Sequence, residues 1–144
     1  PNGVPKSLGE TIYSFSYNNL NQLKDIIKNH SLAAIKMEVE RNIPPAPGFL
    51  ESIRELCDKN NIVLIFDECT SGFRETFGGL HLKYKVFPDM AIFGKTLGNG
   101  YAITSIIGKH SVMDSAQNTF ISSTFWTERI GPSAALKTLE IMNH

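Results

Sequence analysis

Residues 62 to 66 read Ile-Val-Leu-Ile-Phe, an unbroken apolar run bounded by Asp58-Lys59-Asn60-Asn61 on one side and Asp67-Glu68 on the other. A run this short, rich in β-branched side chains and without polar alternation, predicts a strand covered on both faces, as in a parallel sheet. A parallel neighbour requires a crossover connection, and the preceding residues supply one. Phe49, Leu50, Ile53, Leu56 and Cys57 recur at helical spacing directly after the stiff connector Pro44-Pro45-Ala46-Pro47-Gly48. Before that connector, Leu32 to Val39 reads as another buried strand. Strand, helix and strand then form a right-handed βαβ unit.

The same alternation continues along the chain. Residues 11–15 read as a short extended segment, and Asn19 with Gln22 three positions on predicts the capped start of a helix carrying Leu20, Leu23, Ile26 and Ile27. Leu80 to Tyr84 reads as a short helix, Met90 to Phe93 and Ala102 to Ile107 as strands, and Ser133 to Met142 as a closing helix. The expected fold class is α/β, a mostly parallel sheet flanked by helices. With 144 residues, 42% of them hydrophobic, there is material for one domain with a core, and no internal repeat suggests another architecture.

Fourteen basic residues balance fourteen acidic ones, so net charge points to neither nucleic acid nor an anionic membrane as partner, and no apolar run approaches the length of a membrane span. Cys57 and Cys69 are too few for a disulfide scaffold and read as free thiols. The opening residues lack the charged-then-apolar layout of a signal peptide, so the expected location is cytoplasmic. His30, His81, His110 and His144 show no metal-ligand spacing; they read as surface residues, and no metal is expected. The start at Pro1, without methionine, leads us to expect a segment of a longer protein.

In parallel α/β sheets ligands collect beyond the carboxyl ends of the strands. The strand over 62–66 ends in Asp67-Glu68, and the strand over 90–93 in Gly94-Lys95-Thr96. One reading is a nucleotide hydrolase, with Asp67-Glu68 as the metal-binding strand end and Gly94-Lys95-Thr96 as the tail of a phosphate loop. Two facts oppose it: the glycine needed five residues before Gly94 is Asp89, and the lysine element follows the acidic strand instead of preceding it. The other reading pairs Asp67 with Lys95, 28 positions apart, around one crevice. A lysine amine can form a Schiff base with the aldehyde of pyridoxal phosphate, while a carboxylate pairs with its protonated ring nitrogen.

The segments Ile65-Phe66-Asp67-Glu68-Cys69-Thr70-Ser71-Gly72-Phe73-Arg74 and Phe93-Gly94-Lys95-Thr96-Leu97-Gly98-Asn99-Gly100 resemble the signature regions of class III pyridoxal-phosphate-dependent aminotransferases. Within that family the likeness is nearest to glutamate-1-semialdehyde 2,1-aminomutases and related aminotransferases. It extends upstream through Ala34 to Glu38 and Pro44 to Leu50, and downstream through Ser122-Ser123-Thr124-Phe125 to the helix from Gly131. The resemblance implies part of the large domain of a fold-type I transferase acting on a small amino acid or amino sugar.

It further implies that Lys95 is the catalytic amine, that Asp67 holds the ring nitrogen, and that Cys69 lies against the ring face where relatives usually place valine. Thr124, with Ser123 and Ser122 as weaker candidates, would reach the cofactor phosphate of a neighbouring subunit, which makes a homodimer the expected assembly. Gly94, Gly98 and Gly100 would turn the backbone around the cofactor, whereas Glu38, Glu68 and Arg74 read better as ion-pairing or capping residues. Trp126-Thr127-Glu128-Arg129 is nearer to the aminotransferase-like relatives associated with surface-glycan or amino-sugar synthesis. Val39 stands where the family has proline, in a segment shorter than usual. The family's phosphate turn, its stacking aromatic residue and its small domain fall outside these residues. The expectation is therefore that this chain alone binds cofactor weakly or not at all, and a non-catalytic segment that keeps only the sheet and the dimer face remains an alternative.

Overall fold

A computed structural model describes residues 3–143. Helix α1, Leu20–Asn29, begins where the Asn19 side chain accepts the Gln22 amide N–H at 3.1 Å, and it buries Leu23. Gln22 turns its own side-chain oxygen to the Ser16 amide at 2.7 Å, so the reciprocal half of this cap is made upstream of Asn19. Strand β1, Ala34–Met37, follows, and then helix α2, Phe49–Asn60, which buries Phe49, Leu50, Ile53 and Cys57. Gly48 enters α2 at φ +77°, a conformation that costs glycine nothing, and Asn61 ends it in the left-handed region with its N–H on the Cys57 carbonyl.

Strand β2 is Val63–Asp67, α3 is His81–Tyr84, β3 is Met90–Phe93, β4 is Ser105–Gly108, α4 is His110–Met113 and α5 is Ile130–Met142. The four strands form one sheet in chain order. β1, β2 and β3 are parallel, with Ile35 opposite Leu64 and Phe66 opposite Ala91, and β4 runs antiparallel to β3. The sheet is thus mostly parallel, as expected. α2, with Leu23 of α1, packs on the face that carries Ile35, Met37, Leu64 and Phe66; α5 packs Ala135 and Leu139 near Ala91 and Phe93.

Several expectations need correction. The run over 62–66 is covered on one face: Leu64 and Phe66 are buried, whereas Val63, Ile65 and Asp67 are half-buried because no described helix lies over them. The strand expected over 32–39 narrows to β1, and Val39, though buried, leaves the ladder with its carbonyl accepting the Tyr17 hydroxyl. Residues 12–16 run without secondary structure and pair with no strand. The strand expected over 102–107 is shifted to β4. α5 starts at Ile130, three residues early, because the Glu128 carboxylate accepts the Ile130 amide and, at 3.1 Å, the Gly131 amide. Pro132 in that first turn gives up an N–H that has no partner within the helix anyway.

Asp89 ties these elements together. Its carboxylate accepts the Leu64 amide at 2.8 Å, Arg54 of α2 at 2.9 Å and Lys109, just after β4, at 2.7 Å. Burial alone would raise this carboxyl, but the hydrogen bonds from Lys109, Leu64 and Arg54 outweigh it and hold it below its ordinary value of 3.8. Asp89→Ala leaves the buried Leu64 amide without its acceptor and Arg54 with Asp58 as its one remaining carboxylate, and is expected to cost about 3 kcal/mol in urea unfolding. The folded pKa is depressed, so the contribution is present above pH 3.8 and is lost as pH falls below that value; Asp89→Asn should flatten this part of the acid-unfolding curve.

Candidate active site

Because β2 and β3 are parallel, their carboxyl ends emerge at the same edge of the sheet. Asp67 is the last residue of β2, level with Ile92 on β3. Its Oδ1 accepts the Cys69 amide at 3.2 Å, and its Oδ2 accepts Lys36 of β1 at 2.7 Å. Partial burial would raise the Asp67 carboxyl, but the bonds from Lys36 and Cys69 prevail and lower it, so the group is an anion at neutral pH.

Lys95 follows β3 after Gly94 and opens a single 3-10 turn, Lys95–Leu97, at φ +42°, an uncommon conformation for a residue with a side chain. Its Nζ donates to the Thr70 hydroxyl at 2.8 Å. A Cβ built on Gly94 would lie 3.1 Å from the Cys69 sulfur, so the loop after β2 and the turn after β3 are in direct contact. Burial, with the Asp67 charge beside it, pushes the Cys69 thiol up and keeps it neutral. The structure therefore brings Asp67, Cys69, Thr70, Gly94 and Lys95 into one patch. Asp67 and Lys95 are not bonded to each other; each holds a partner from the chain.

The loop that carries Cys69 and Thr70 is anchored by Glu68, which is fully buried. Its carboxylate accepts the Leu80 and His81 amides, both at 3.0 Å, His81 Nδ1 at 2.8 Å and the Ser71 hydroxyl. Burial would raise this carboxyl, and the bonds from His81, Ser71 and Leu80 lower it instead. The capping reading of Glu68 fits this arrangement. The surface reading of His81 does not: it is 8% exposed, held to Glu68 and packed near Phe66 and Phe87. His30 and His110 are exposed, as expected, and His144 lies outside the described residues. Glu38 pairs with Arg41 at 3.1 Å, and Arg74 Nε donates to the Thr70 carbonyl at 2.5 Å.

A cavity of ≈ 610 Å³ adjoins Lys95 and is lined also by Ser123, Thr104, Phe125, Trp126 and Glu128. Ser123 thus shares a hollow with Lys95, whereas Asp67, Cys69 and Thr124 do not line it. Ser122, Ser123 and Thr124 lie in an exposed segment whose Phe120 and Trp126 are 93% and 70% exposed. Of the three glycines, Gly100 adopts φ +106°, while Gly98 is required by packing, since a Cβ there would meet the Tyr101 carbonyl oxygen at 2.2 Å. Among the described residues no group of three or more His, Cys, Asp or Glu could hold a metal ion. The nucleotide-hydrolase reading fails on geometry. Lys95 opens a three-residue turn instead of a phosphate-binding helix, and Asp89 is a buried anion already committed to Arg54 and Lys109.

Lys36, bonded to Asp67, and Thr70, bonded to Lys95, are the two residues at this edge that the sequence alone does not single out. Lys36 carried a signal: a lysine directly after the apolar Leu-Ala-Ala-Ile stretch, at a position that alternation places on the opposite face from Ile35 and Met37.

Known proteins carry the same arrangement of sequence. The aminotransferase class-III family matches residues 13–144. The chain belongs to this family. It is 41% identical over 152 residues to a 3-aminobutyryl-CoA aminotransferase of Cloacimonas acidaminovorans, an alignment covering 97% of this chain and 36% of that protein. It is 33% identical over 150 residues to a glutamate-1-semialdehyde 2,1-aminomutase of Nitratidesulfovibrio vulgaris, covering 98% and 36%. Among solved structures, the PLP internal aldimine form of the Sphingopyxis FumI protein superimposes with a TM-score of 0.90 at 26% identity, over 99% of this chain and 36% of that one. An omega-transaminase of Sphaerobacter thermophilus gives 0.89 at 26% identity, over 99% and 35%. The chain thus spans about 36% of the length of the curated relatives it matches.

Glu68 offers a direct check on how the site loop is held. Glu68→Leu leaves two amides, the Ser71 hydroxyl and His81 without their acceptor and should cost about 3 kcal/mol or more in denaturant unfolding. The loosened loop should also speed thiol labelling at half-buried Cys69, while Cys57, buried in the core, stays unreactive.

Proposed function

We propose that the protein containing this chain is a pyridoxal-phosphate-dependent enzyme that transfers an amino group to or from a small amino acid or amino sugar. The observation that supports this reading is the meeting of Asp67 and Lys95, through the Cys69-Thr70 loop and Gly94, at the ends of adjacent parallel strands. The donor set suits the cofactor. Asp67 is an anion that already holds a cation on Oδ2, as it would hold a protonated ring nitrogen, and Lys95 presents a primary amine to the same patch. When bound, the cofactor supplies an electron sink for the charge left on the substrate carbon.

The residues of the chain divide the remaining work. Asp67 keeps the ring nitrogen charged and in place. Lys95 would hold the cofactor at its aldehyde and would move a proton at the substrate carbon; its partner here is the Thr70 hydroxyl, which can accept from an ammonium or donate to a free amine. Cys69, a neutral thiol beside Gly94, gives the ring a small soft surface. The higher identity to an aminotransferase than to an aminomutase supports transfer between two molecules over transfer within one.

Assembly and location belong to the same proposal. Thr124 lies in an exposed segment flanked by Phe120, Ile121, Phe125 and Trp126, a concentration of apolar surface suited to a second copy. The reading is a homodimer in which Thr124 and Ser123 reach the cofactor phosphate of the neighbouring site. Two free thiols, Cys57 and Cys69, suit the reducing cytoplasm.

Adding pyridoxal phosphate to the complete protein is expected to produce a yellow absorbance that Lys95→Ala abolishes. Asp67→Asn should retain the colour and slow amino transfer by about 100-fold, the scale of losing a preorganised charge at the reacting centre. If Thr124 acts across subunits, mixing Lys95→Ala with Thr124→Ala protein should restore in the hybrid an activity that neither has alone. A complete protein that stays colourless would sink the assignment and support a non-catalytic segment.

A further inference from the structure

Lys36 is the charged group of the site that the proposed chemistry leaves without a task. It sits inside β1, opposite Ile65 on β2, with Ile35 and Met37 directed into the core on either side of it. Asp67 lies two residues beyond Ile65 and therefore on the same sheet face. A lysine stem spans that diagonal. Nothing obliges the ammonium to go there, since the Lys36 side chain is 56% exposed and could point into water. Instead its Nζ is on Asp67 Oδ2 at 2.7 Å, while Oδ1 is taken by the Cys69 amide.

Both oxygens of the carboxylate that would receive the cofactor ring nitrogen are thus occupied by the chain itself. Without Lys36 the carboxylate would keep the Cys69 amide on Oδ1 and lose the bond that fixes Oδ2. Two cations brought to the same oxygen would repel one another. The ring nitrogen and Lys36 therefore compete for Oδ2, and the half-exposed lysine is the partner that can turn to water.

We infer that Lys36 is a place-holder for the cofactor: its ammonium holds Asp67 Oδ2 in position and yields that oxygen to the ring nitrogen on binding. The inference rests on the proposed function and assigns Lys36 a positioning role, acting through Asp67. Cofactor binding becomes an exchange of one ion pair for another. That exchange lowers net affinity relative to a site with no cation to displace.

The test is equilibrium titration of the complete protein with pyridoxal phosphate, followed by absorbance. Lys36→Met preserves length and removes the charge; Lys36→Gln is a second neutral variant. Both should bind the cofactor more tightly, by roughly two- to fivefold, as expected for a half-exposed ion pair. In the unaltered protein, acetylation of Lys36 followed by peptide mass spectrometry should increase when cofactor is added, because the amine is released from Asp67. Equal or weaker binding by both variants, or Lys36 labelling that does not change on loading, overturns the place-holder role while leaving the proposed function intact. If neither the unaltered protein nor the variants develop a lysine-dependent colour, the proposed function itself fails and this role falls with it.

Discussion

Parallel pairing of β2 with β3 is the constraint on which the rest depends. It turns two residues 28 positions apart into neighbours, because parallel strands deliver their carboxyl ends to one edge, whereas an antiparallel pair would send Asp67 and Lys95 to opposite edges. The pairing is secured where β3 begins. Asp89 joins the ladder through its backbone, with its amide on the Leu64 carbonyl at 2.8 Å, while its carboxylate takes the Leu64 amide and the charges of Arg54 and Lys109. A buried anion that draws donors from α2, β2 and the residue after β4 fixes register more sharply than apolar packing, which tolerates small shifts. Stability and chemistry are thus assigned to opposite ends of β3.

Three carboxylates along the sheet follow a consistent electrostatic pattern. Asp67, Glu68 and Asp89 all hold their protons less firmly than free carboxyls, in each case because hydrogen bonds outweigh a burial penalty. Their donors differ in kind. Glu68 is bound by amides, a hydroxyl and an imidazole, and Asp89 by the Leu64 amide, the mostly buried Arg54 and the half-exposed Lys109. Asp67 has a half-exposed lysine as its one charged partner, whereas Asp89 holds the mostly buried Arg54 besides the equally exposed Lys109.

Much of this was legible in the sequence. The apolar run over 62–66, the capped start of α1 and the face of α2 are local patterns, and all three elements form where periodicity places them. Asp67 and Lys95 were legible because strand ends are where parallel sheets bind ligands. Other features depend on residues distant in the chain. His81 carries no local mark of burial; a carboxylate 13 residues earlier draws it in. The ion pair of Lys36 with Asp67 spans 31 residues and requires the β1–β2 register, which no single segment encodes. The antiparallel direction of β4 is likewise a matter of topology, since its sequence would suit either orientation.

The error in reading β2 is informative in its own right. An uninterrupted apolar strand predicted cover on both faces, yet Val63 and Ile65 are half-buried, as are Met90 and Ile92 beside them. Strands whose second face is meant for water alternate apolar with polar residues, and these two do not. Their composition therefore specifies a second layer over that face, consistent with a chain that spans about 36% of its curated relatives. Lys36 and Asp67 lie on the same uncovered face, at the end toward the site. A second layer packed over Val63, Ile65 and Ile92 would lower the local dielectric around the carboxylate, which strengthens whichever cation it holds and raises the cost of holding none. Completion of the sheet's cover and retention of a cation at Asp67 are then physically coupled.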